Sequence, residues 1–408
     1  MGAVSELPPA DYFGTAPLLK RMATHRILHN MIQRILMASS MSLPIIATAM
    51  LMAACSKDTI VASVDPVTPD SGNSICFNVG EDSSPASTRA EQTAFDTSKQ
   101  FRVYAWNTSD ETNPSAEPII GPMASFESSN IVSYDKSLSV WSTIQKYYWP
   151  DETTSLTFYA YYPQDAPFVA STRAITYSVT PVDGFTDLLY AKTATSKENS
   201  EFTGVSNSYS ALINFRHAFC RVDFKANITN TDLKVVINSL QICNVNAHGT
   251  FNYPSGSTNT ENAETDYGAW PAASLSAPTT YTVGITTPVT LTAADTQLGT
   301  TNPYLLLIPQ TLTPWDPSVT IAANDANATP GCYLKIGCSI TISENEYSDN
   351  GYVYCPLTPD WQPANNYTYT LSFGGGYDSV GRPVIQPIVV TTAIKPWNTT
   401  TGIDKTIY

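Results

Sequence analysis

The fold class is decided by a short aromatic stretch, Leu156-Thr157-Phe158-Tyr159-Ala160-Tyr161-Tyr162-Pro163. Its residues favour extended backbone and it stops at a proline, so it predicts a β-strand. Short stretches of the same character recur between turn residues, at 101–106, 175–179, 212–224, 333–342 and 367–373. Many short strands with turn signals between them predict an all-β protein built of sandwiches.

The composition supports a globular protein outside the nucleic-acid-binding classes. The chain has 408 residues, 42% of them hydrophobic, with 23 Tyr, 14 Phe and 7 Trp. This length and aromatic content are enough for two domains with their own cores. The net charge of −14 repels phosphate backbones, and no basic run accompanies the aromatic residues. We therefore expect no nucleic-acid partner.

The amino-terminal segment has the pattern of an export signal. Basic residues, among them Arg26 and Arg34, precede an apolar run at 41–54 that stops at Cys55. The run is shorter than the roughly 20 residues that a membrane-spanning helix needs, and small residues precede the cysteine. The stretch resembles a bacterial lipobox, which implies a signal peptide at 1–54 and lipidation of Cys55. Three internal methionines are alternative translation starts: Met22, Met31 and Met37.

The remaining cysteines are Cys76, Cys220, Cys243, Cys332, Cys338 and Cys355. Cys332 and Cys338 fall on one predicted strand, about 20 Å apart when extended, too far to form a disulfide. Cys338 and Cys355 could face each other across a hairpin that turns at 344–351. Free buried thiols are the alternative.

The chain divides into four predicted segments. Residues 55–90 are rich in Ser, Pro, Asp and Thr apart from one alternating strand at 75–79. Residues 91–228 and 229–408 each contain a series of strands and are predicted to form one sandwich each. The proposed junction is the polar stretch at 227–232.

Several strings in a fixed order resemble one known family. They are Tyr147-Tyr148-Trp149-Pro150 followed by the 156–163 stretch, Asp187-Leu188-Leu189-Tyr190-Ala191, Phe215-Arg216-His217-Ala218, Leu306-Leu307-Ile308-Pro309-Gln310, and Trp361-Gln362-Pro363-Ala364-Asn365-Asn366-Tyr367. Together they resemble the fimbrillin or Mfa-like family, the subunits of type V pili in Bacteroidia. The resemblance implies two transthyretin-like β-sandwich domains in tandem, delivery to the surface as an outer-membrane lipoprotein, proteolytic maturation, and polymerisation by strand exchange.

The chain departs from the family pattern at Ala364, where a glycine is common. We expect Asn365 or Asn366 to take the positive φ of that turn, because asparagine tolerates it.

Residues that could carry chemistry do not form a recognisable site. His217 and Cys220 lie three apart, which on a strand points them to opposite faces. Asp183 and Asp187 are interpreted as solvated loop acids. The sequence therefore predicts no catalytic residue, no metal site and no cofactor, and a protein that is not an enzyme. Trp270 and Trp315 lie beside prolines and could be exposed platforms for sugars.

The proteolytic maturation and strand exchange that the resemblance implies can be assigned to particular residues. Arg89 lies in a polar, Pro-containing stretch that suits a protease, so cleavage is predicted between Arg89 and Ala90. The displaced strand would be 75–79, with Ile75, Phe77 and Val79 on its apolar face. Loss of this strand leaves unpaired backbone that a strand of another chain can pair with. The donor would be 384–397.

The donor strand is predicted to begin at Ile388, because Pro387 interrupts a strand ladder. Ile388, Val390 and Ile394 provide its apolar side chains, and the tail beyond Pro396 shows no strand pattern. Cleavage is not the only possibility, because 75–79 could also be a permanent first strand.

The predicted function is that of a pilin, a subunit of a cell-surface fimbrium that serves adhesion. Its partners would be other pilin subunits in a homo- or heteropolymer, the outer membrane through the lipid anchor before maturation, and a host protein or glycan. The alternatives are an uncleaved anchor or tip subunit, and a monomeric surface glycan-binding lipoprotein. Palmitate on Cys55 would be the anchor.

Overall fold

The computed structural model describes residues 73–79, 95–180, 186–203, 208–258, 268–299, 303–323, 326–342, 345–346, 351–374, 376–382, 384–396 and 403–406. This part of the chain contains 23 strands and no α-helix. Its helical turns are single 3₁₀ turns at Thr108–Asp110, Ala272–Ser274 and Ala326–Ala328. The predicted all-β class is confirmed.

The strands follow in chain order. They are β1 (Ser74–Val79), β2 (Phe101–Asn107), β3 (Ile131–Asp135), β4 (Val140–Thr143), β5 (Leu156–Tyr162), β6 (Phe168–Val169), β7 (Ala174–Ser178), β8 (Leu189–Thr195), β9 (Glu201–Thr203), β10 (Ser208–Ile213), β11 (Arg216–His217), β12 (Cys220–Ile228), β13 (Leu233–Asn252), β14 (Ser276–Val283), β15 (Val289–Thr290), β16 (Thr296–Leu298), β17 (Tyr304–Leu307), β18 (Tyr333–Ile342), β19 (Asn345–Glu346), β20 (Tyr352–Pro356), β21 (Asn365–Phe373), β22 (Val389–Pro396) and β23 (Ile403–Thr406).

These strands form three sheets. The first has nine strands in the order β11-β8-β5-β2-β3-β4-β1-β10-β9. The second has the order β16-β12-β21-β22-β23, with β17 also paired to β12. The third has the order β19-β18-β13-β7-β6, with β14 and β15 on β13 and β20 on β18.

The first sheet folds back on itself around one core. Phe77 on β1 and Phe101 on β2 are three strand steps apart in the sheet, which in a flat sheet would separate them by about 14 Å. Their ring centroids are 6.3 Å apart in an edge-to-face contact. The sheet therefore curves into two layers, and the apolar residues of both layers meet in a single cluster.

The strand β5 is apolar almost throughout because both of its faces are covered. Phe158 and Ala160 lie in the core of the first sheet. Tyr159 and Tyr161 point the other way, into a larger core formed mainly by the second and third sheets. A strand covered on both faces shows a continuous apolar run instead of alternation, as β5 does.

The second and third sheets face each other across this larger core. β12 and β21 alternate between buried and half-buried residues, as expected for strands with one core face. They pair in parallel, from Arg221 with Asn366 to Ile228 with Phe373. The long strand β13 supplies the facing side chains, among them Val235 and Leu240.

Strands on the two sides of the predicted boundary between residues 228 and 229 pair with each other. β12, placed in the amino-terminal half, pairs with β16, β17 and β21 of the carboxy-terminal half. β7 likewise pairs with β13. The polar stretch at 227–232 marks the crossing from the second sheet to the third, because turn residues signal a reversal whether or not a domain ends there.

The turn after Pro363 also differs from expectation. Ala364 itself has a φ of +58°, so the strain is not taken up by Asn365 or Asn366. Its backbone N–H donates to the carbonyl of Phe219 at 2.9 Å, which fixes the left-handed conformation in place. A glycine at this position, as in the family pattern, would adopt that conformation without strain.

Candidate assembly site

β1 lies inside the first sheet, where both of its edges are paired. It runs parallel to β10 along its whole length, from Ser74 with Ser208 to Val79 with Ile213. On the other edge it meets β4, with Phe77 opposite Trp141. We call the space between β4 and β10 that this strand fills the β1 slot.

The side chains of β1 that face inward form part of the first core. Ile75 is 3% exposed and Phe77 is 2% exposed, while Val79 is half-buried at the end of the strand. These three are the residues predicted to fill the core if the strand were removable. Removal of β1 would take these apolar side chains out of the core and would also break the backbone hydrogen bonds of the strand.

The outward face of β1 carries weaker contacts. The hydroxyl of Ser208 donates to the thiol sulfur of Cys76 at 3.1 Å. The amide of the exposed Asn78 donates to Glu201 Oε2 at 3.1 Å. The Ser208–Cys76 contact is buried, but a thiol sulfur is a weak acceptor. The Asn78 contact is exposed, and exposed polar contacts contribute little to stability. The strand is therefore retained chiefly by its core face and its backbone ladder.

Three of the predicted site residues lie outside the described part of the chain. They are Cys55, the predicted lipidation site, and Arg89 and Ala90, which flank the predicted cleavage site.

The predicted donor residues lie in and beside β22, which is paired within its own sheet. β22 runs antiparallel to β21, from Asn365 with Pro396 to Ser372 with Val389. Ile388 is buried just before it, and the half-buried Val390 and Ile394 pack against the larger core. The structure therefore brings the donor residues together on one face, but as part of a closed sheet.

The tail beyond Pro396 differs from the sequence expectation. β23 lies within it and pairs with the outer edge of β22, from Ile394 with Ile403 to Thr391 with Thr406. Its short length and lack of alternation explain why no pattern indicated it. Donation of β22 would require release from both neighbours.

His217 and Cys220 do not form a reactive pair. His217 Nδ1 is hydrogen-bonded to Asp187 Oδ2, and the Cys220 thiol donates to the carbonyl of Leu307 at 3.3 Å. Burial raises the pKa of the Cys220 thiol, which keeps it protonated and unreactive. Asp187 is thus a partly buried partner of a histidine, and the interpretation of it as a solvated loop acid is wrong.

The cysteines in the described residues are free and buried. A bridge between Cys338 and Cys355 does not fit the register, because Cys355 lies opposite Leu334 on β18, about 13 Å along the strand from Cys338. Burial raises the pKa of both thiols to about 12.

The loop tryptophans proposed as sugar platforms are buried. Trp270 is 7% exposed and Trp315 is 1% exposed. Their indole N–H groups donate to the carbonyls of Ala218 and Val319, each at 2.8 Å. A buried indole needs such a partner, and with it both rings contribute to packing and not to a binding surface.

Sequence reasoning missed a buried ion pair on the outer face of the first sheet. Lys192 Nζ lies 2.5 Å from Glu111 Oε1, with the lysine side chain 6% exposed and the glutamate 27%. The ammonium also donates to the carbonyls of Pro254 and Ser255. No local pattern could reveal it, because its partners come from three distant segments.

The ion pair sets the charge state of Glu111. Burial by itself would raise the pKa of this carboxyl, but the hydrogen bonds from Lys192 and Tyr159 and the charge of Lys192 outweigh it, so the pKa is lowered. The Glu111 carboxyl is therefore held in its ionised form where the first sheet meets the larger core.

The described residues lack two kinds of functional feature. No cluster of three or more His, Cys, Asp or Glu side chains there could hold a metal ion. In the same residues, no helix has the length and apolar character needed to cross a bilayer.

The described residues form an all-β fold, and conspicuous side chains such as Trp270 and Trp315 are buried in its packing. Residues 88–397 match the model of the Fimbrillin-like family. These residues make up more than half of the chain, and the protein belongs to that family. Membership makes it a fimbrial structural protein, a class that assembles with other fimbrial subunits at the cell surface.

Solved structures show distant similarity. One is a fimbrial protein from Bacteroides vulgatus, with 13% identity, coverage of 80% of this chain and 100% of that one, and a TM-score of 0.47. Another is the fimbrial anchor protein Mfa2 from Porphyromonas gingivalis, with 11% identity, coverage of 79% and 96%, and a TM-score of 0.34. No curated protein matches the chain.

Proposed function

We propose that this chain is a pilin that is exported as a lipoprotein through Cys55, cut after Arg89, and assembled into a surface fimbrium by strand exchange. The observation that carries the proposal is the position of β1. It is a short strand inside the first sheet, with Ile75 and Phe77 in the core and backbone partners on both sides. A cut after Arg89 would leave it held by noncovalent contacts alone.

Removal of β1 would produce a surface suited to a strand from another chain. The slot would present the unpaired edges of β4 and β10 and an apolar floor that includes Phe101 and Phe158. Unpaired strand edges bind extended segments through their backbone, and pockets for alternate side chains select among them. β22, with apolar residues on one face, is the segment proposed to enter.

The glycan-binding alternative loses its support with the burial of Trp270 and Trp315. An uncleaved anchor or tip subunit would keep β1 in place, and the test of Arg89 decides between that role and a pilin. Adhesion to a host protein or glycan would be a property of the assembled fimbrium.

The cleavage step is tested by Arg89→Ala in the full chain on cells, with Arg382→Ala as the control. Arg382 is an exposed loop arginine whose side chain is 79% exposed. We expect R89A to be exported and folded but absent from filaments, and R382A to assemble normally. Filaments of R89A equal in amount to the unmodified protein would overturn the proposed cleavage.

Strand movement is tested by two reversible locks. Asn78→Cys with Leu212→Cys would link β1 to β10 through exposed paired positions, and Ser372→Cys with Val389→Cys would link β22 to β21. Directly paired positions have Cα distances within the range a disulfide requires.

Each lock should prevent filament assembly while oxidised and allow it after reduction. The described native cysteines form no disulfide, so reduction acts on the engineered bond. Assembly under oxidising conditions, with the lock shown by mass spectrometry to be closed, would exclude movement of that strand.

A further inference from the structure

Two strands of the proposed exchange each carry a buried threonine hydroxyl that has no hydrogen-bond partner among the described residues. The two hydroxyls are Thr143 Oγ1 on β4 and Thr392 Oγ1 on β22. The residues are 4% and 2% exposed. A buried polar group without a partner destabilises the state that contains it. One of these strands borders the β1 slot, and the other is the strand proposed to enter it.

Thr392 lies on the core-facing side of β22. It is opposite Tyr369 on β21, and the residues two positions before and after it, Val390 and Ile394, pack against the larger core. Its hydroxyl thus interrupts an otherwise apolar face. A valine would occupy the same space without the unpaired group, so the threonine is not explained by packing in this sheet.

Thr143 lies beside the β1 slot. It is two residues from Trp141 on β4, and side chains two apart on a strand point to the same face. Trp141 is opposite Phe77 of β1, and the backbone N–H of Ile75 donates to the carbonyl of Tyr147 at 2.9 Å. Thr143 lies on the stretch of chain between these two contacts and so borders the part of the slot between Phe77 and Ile75. With the apolar Ile75 and Phe77 there, β1 leaves this hydroxyl unpaired.

We propose, on the basis of the proposed strand exchange, that Thr392 of one subunit pairs with Thr143 of the next and so sets the register of the inserted strand. Cross-strand threonine pairs form hydrogen bonds when they face each other. Register is otherwise weakly specified in a short strand, because a slip by two residues keeps the same face inward.

The proposed register also fits the apolar side chains. When Thr392 takes the place of Ile75, the site of Phe77 is filled by Ile394 if the strand runs parallel to β1, and by Val390 if it runs antiparallel. Both are apolar residues that already pack in a core. Exchange would remove two unpaired buried hydroxyls and create one hydrogen bond.

The test measures how fast filaments of the full chain release subunits in detergent, for Thr143→Val, Thr392→Val and the double variant. Each single variant leaves one hydroxyl unpaired in the filament and should speed release about tenfold, equivalent to about 1.4 kcal/mol. The double variant replaces both hydroxyls by methyl groups of similar shape, so its release rate should return to within about twofold of the unmodified filament.

Thr391→Val is the matched control, because Thr391 is adjacent on β22 but points to the opposite face, and it should leave the rate unchanged. Additive acceleration in the double variant, or single variants that release at the unmodified rate, would overturn the pairing and leave strand exchange intact. If the unmodified chain forms no strand-exchanged filaments, the proposed function fails, and the pairing fails with it.

Discussion

Phe77 on β1 and Phe158 on β5 pack edge to face with ring centroids 5.9 Å apart and an interplanar angle of 85°, although four strand steps separate them in the sheet. The contact joins the two layers of the first sheet across its core. Phe77, which would leave the core with β1 in the proposed strand exchange, therefore packs against the opposite layer of the sheet.

Phe77→Ala should destabilise the uncleaved chain by about 3–5 kcal/mol, the usual cost of truncating a buried phenylalanine. Guanidinium unfolding followed by circular dichroism measures it. Asn78→Ala is the matched control on the same strand and should cost less than about 1 kcal/mol, because Asn78 is exposed. Equal losses in the two variants would show that Phe77 is not part of the core.

Glu111→Gln should destabilise the chain by about 2 kcal/mol at neutral pH, because it leaves the buried Lys192 without its carboxylate. Glu152→Gln is the control, since the Glu152 side chain in its pair with Lys197 is 66% exposed, and it should cost less than about 1 kcal/mol.

The same ion pair predicts a pH dependence. The pKa of Glu111 is lowered in the folded state, so its stabilising contribution is complete above the unfolded value of about 4.3 and is lost as the pH falls through the lower folded value. Thermal melts between neutral and acidic pH should show a smaller loss in the Glu111→Gln variant over that window. An identical acid profile in both proteins would contradict the assignment.

Ala364→Gly should be tolerated, with a change in unfolding free energy within about 0.5 kcal/mol. Relief of the left-handed backbone at a φ of +58° offsets the lost methyl group and the added chain entropy. The control is Ala226→Gly on β12, a fully buried position, where no such relief exists and the cost should be about 1–2 kcal/mol. A larger loss of stability for Ala364→Gly than for Ala226→Gly in thermal melts would contradict a strained backbone at Ala364.

Trp397→Phe should give a protein with blue-shifted tryptophan fluorescence and weak quenching by acrylamide. The variant removes the tryptophan outside the described residues, and the others are at most 7% exposed. The guanidinium-unfolded protein supplies the reference for full exposure. A strongly quenched, red-shifted component would mean that an indole such as Trp270 or Trp315 is available at the surface after all.

The local sequence pattern was sufficient to predict those strands whose conformation depends on residues close to them in the sequence. The bounds predicted for β5, residues 156–162, are those observed, and the alternation of Ile75, Phe77 and Val79 indicated both the existence of β1 and its apolar end residues. Period-two alternation needs no knowledge of the partner strand.

Features that depend on a distant partner could not be predicted. The parallel pairing of β1 with β10, and that of β12 with β21, leave no trace in either strand alone. The same is true of Glu111, which looks like any loop acid until Lys192 is placed beside it. Trp315 was misjudged because its proline neighbours mark a loop but do not reveal whether the loop folds inward.

The chain that links Val79 to Phe95 would give β1 an advantage over a strand from another subunit in competing for the β1 slot. A tethered strand competes for its slot at an effective concentration of about millimolar, whatever the number of subunits nearby. In the proposed strand exchange, a strand from another subunit would compete only at its own concentration, so uncut subunits would accumulate at the surface without premature assembly. Once the proposed cut after Arg89 was made, a departing β1 would be diluted and would not return. The timing of growth would then be set by the protease and not by the supply of subunits.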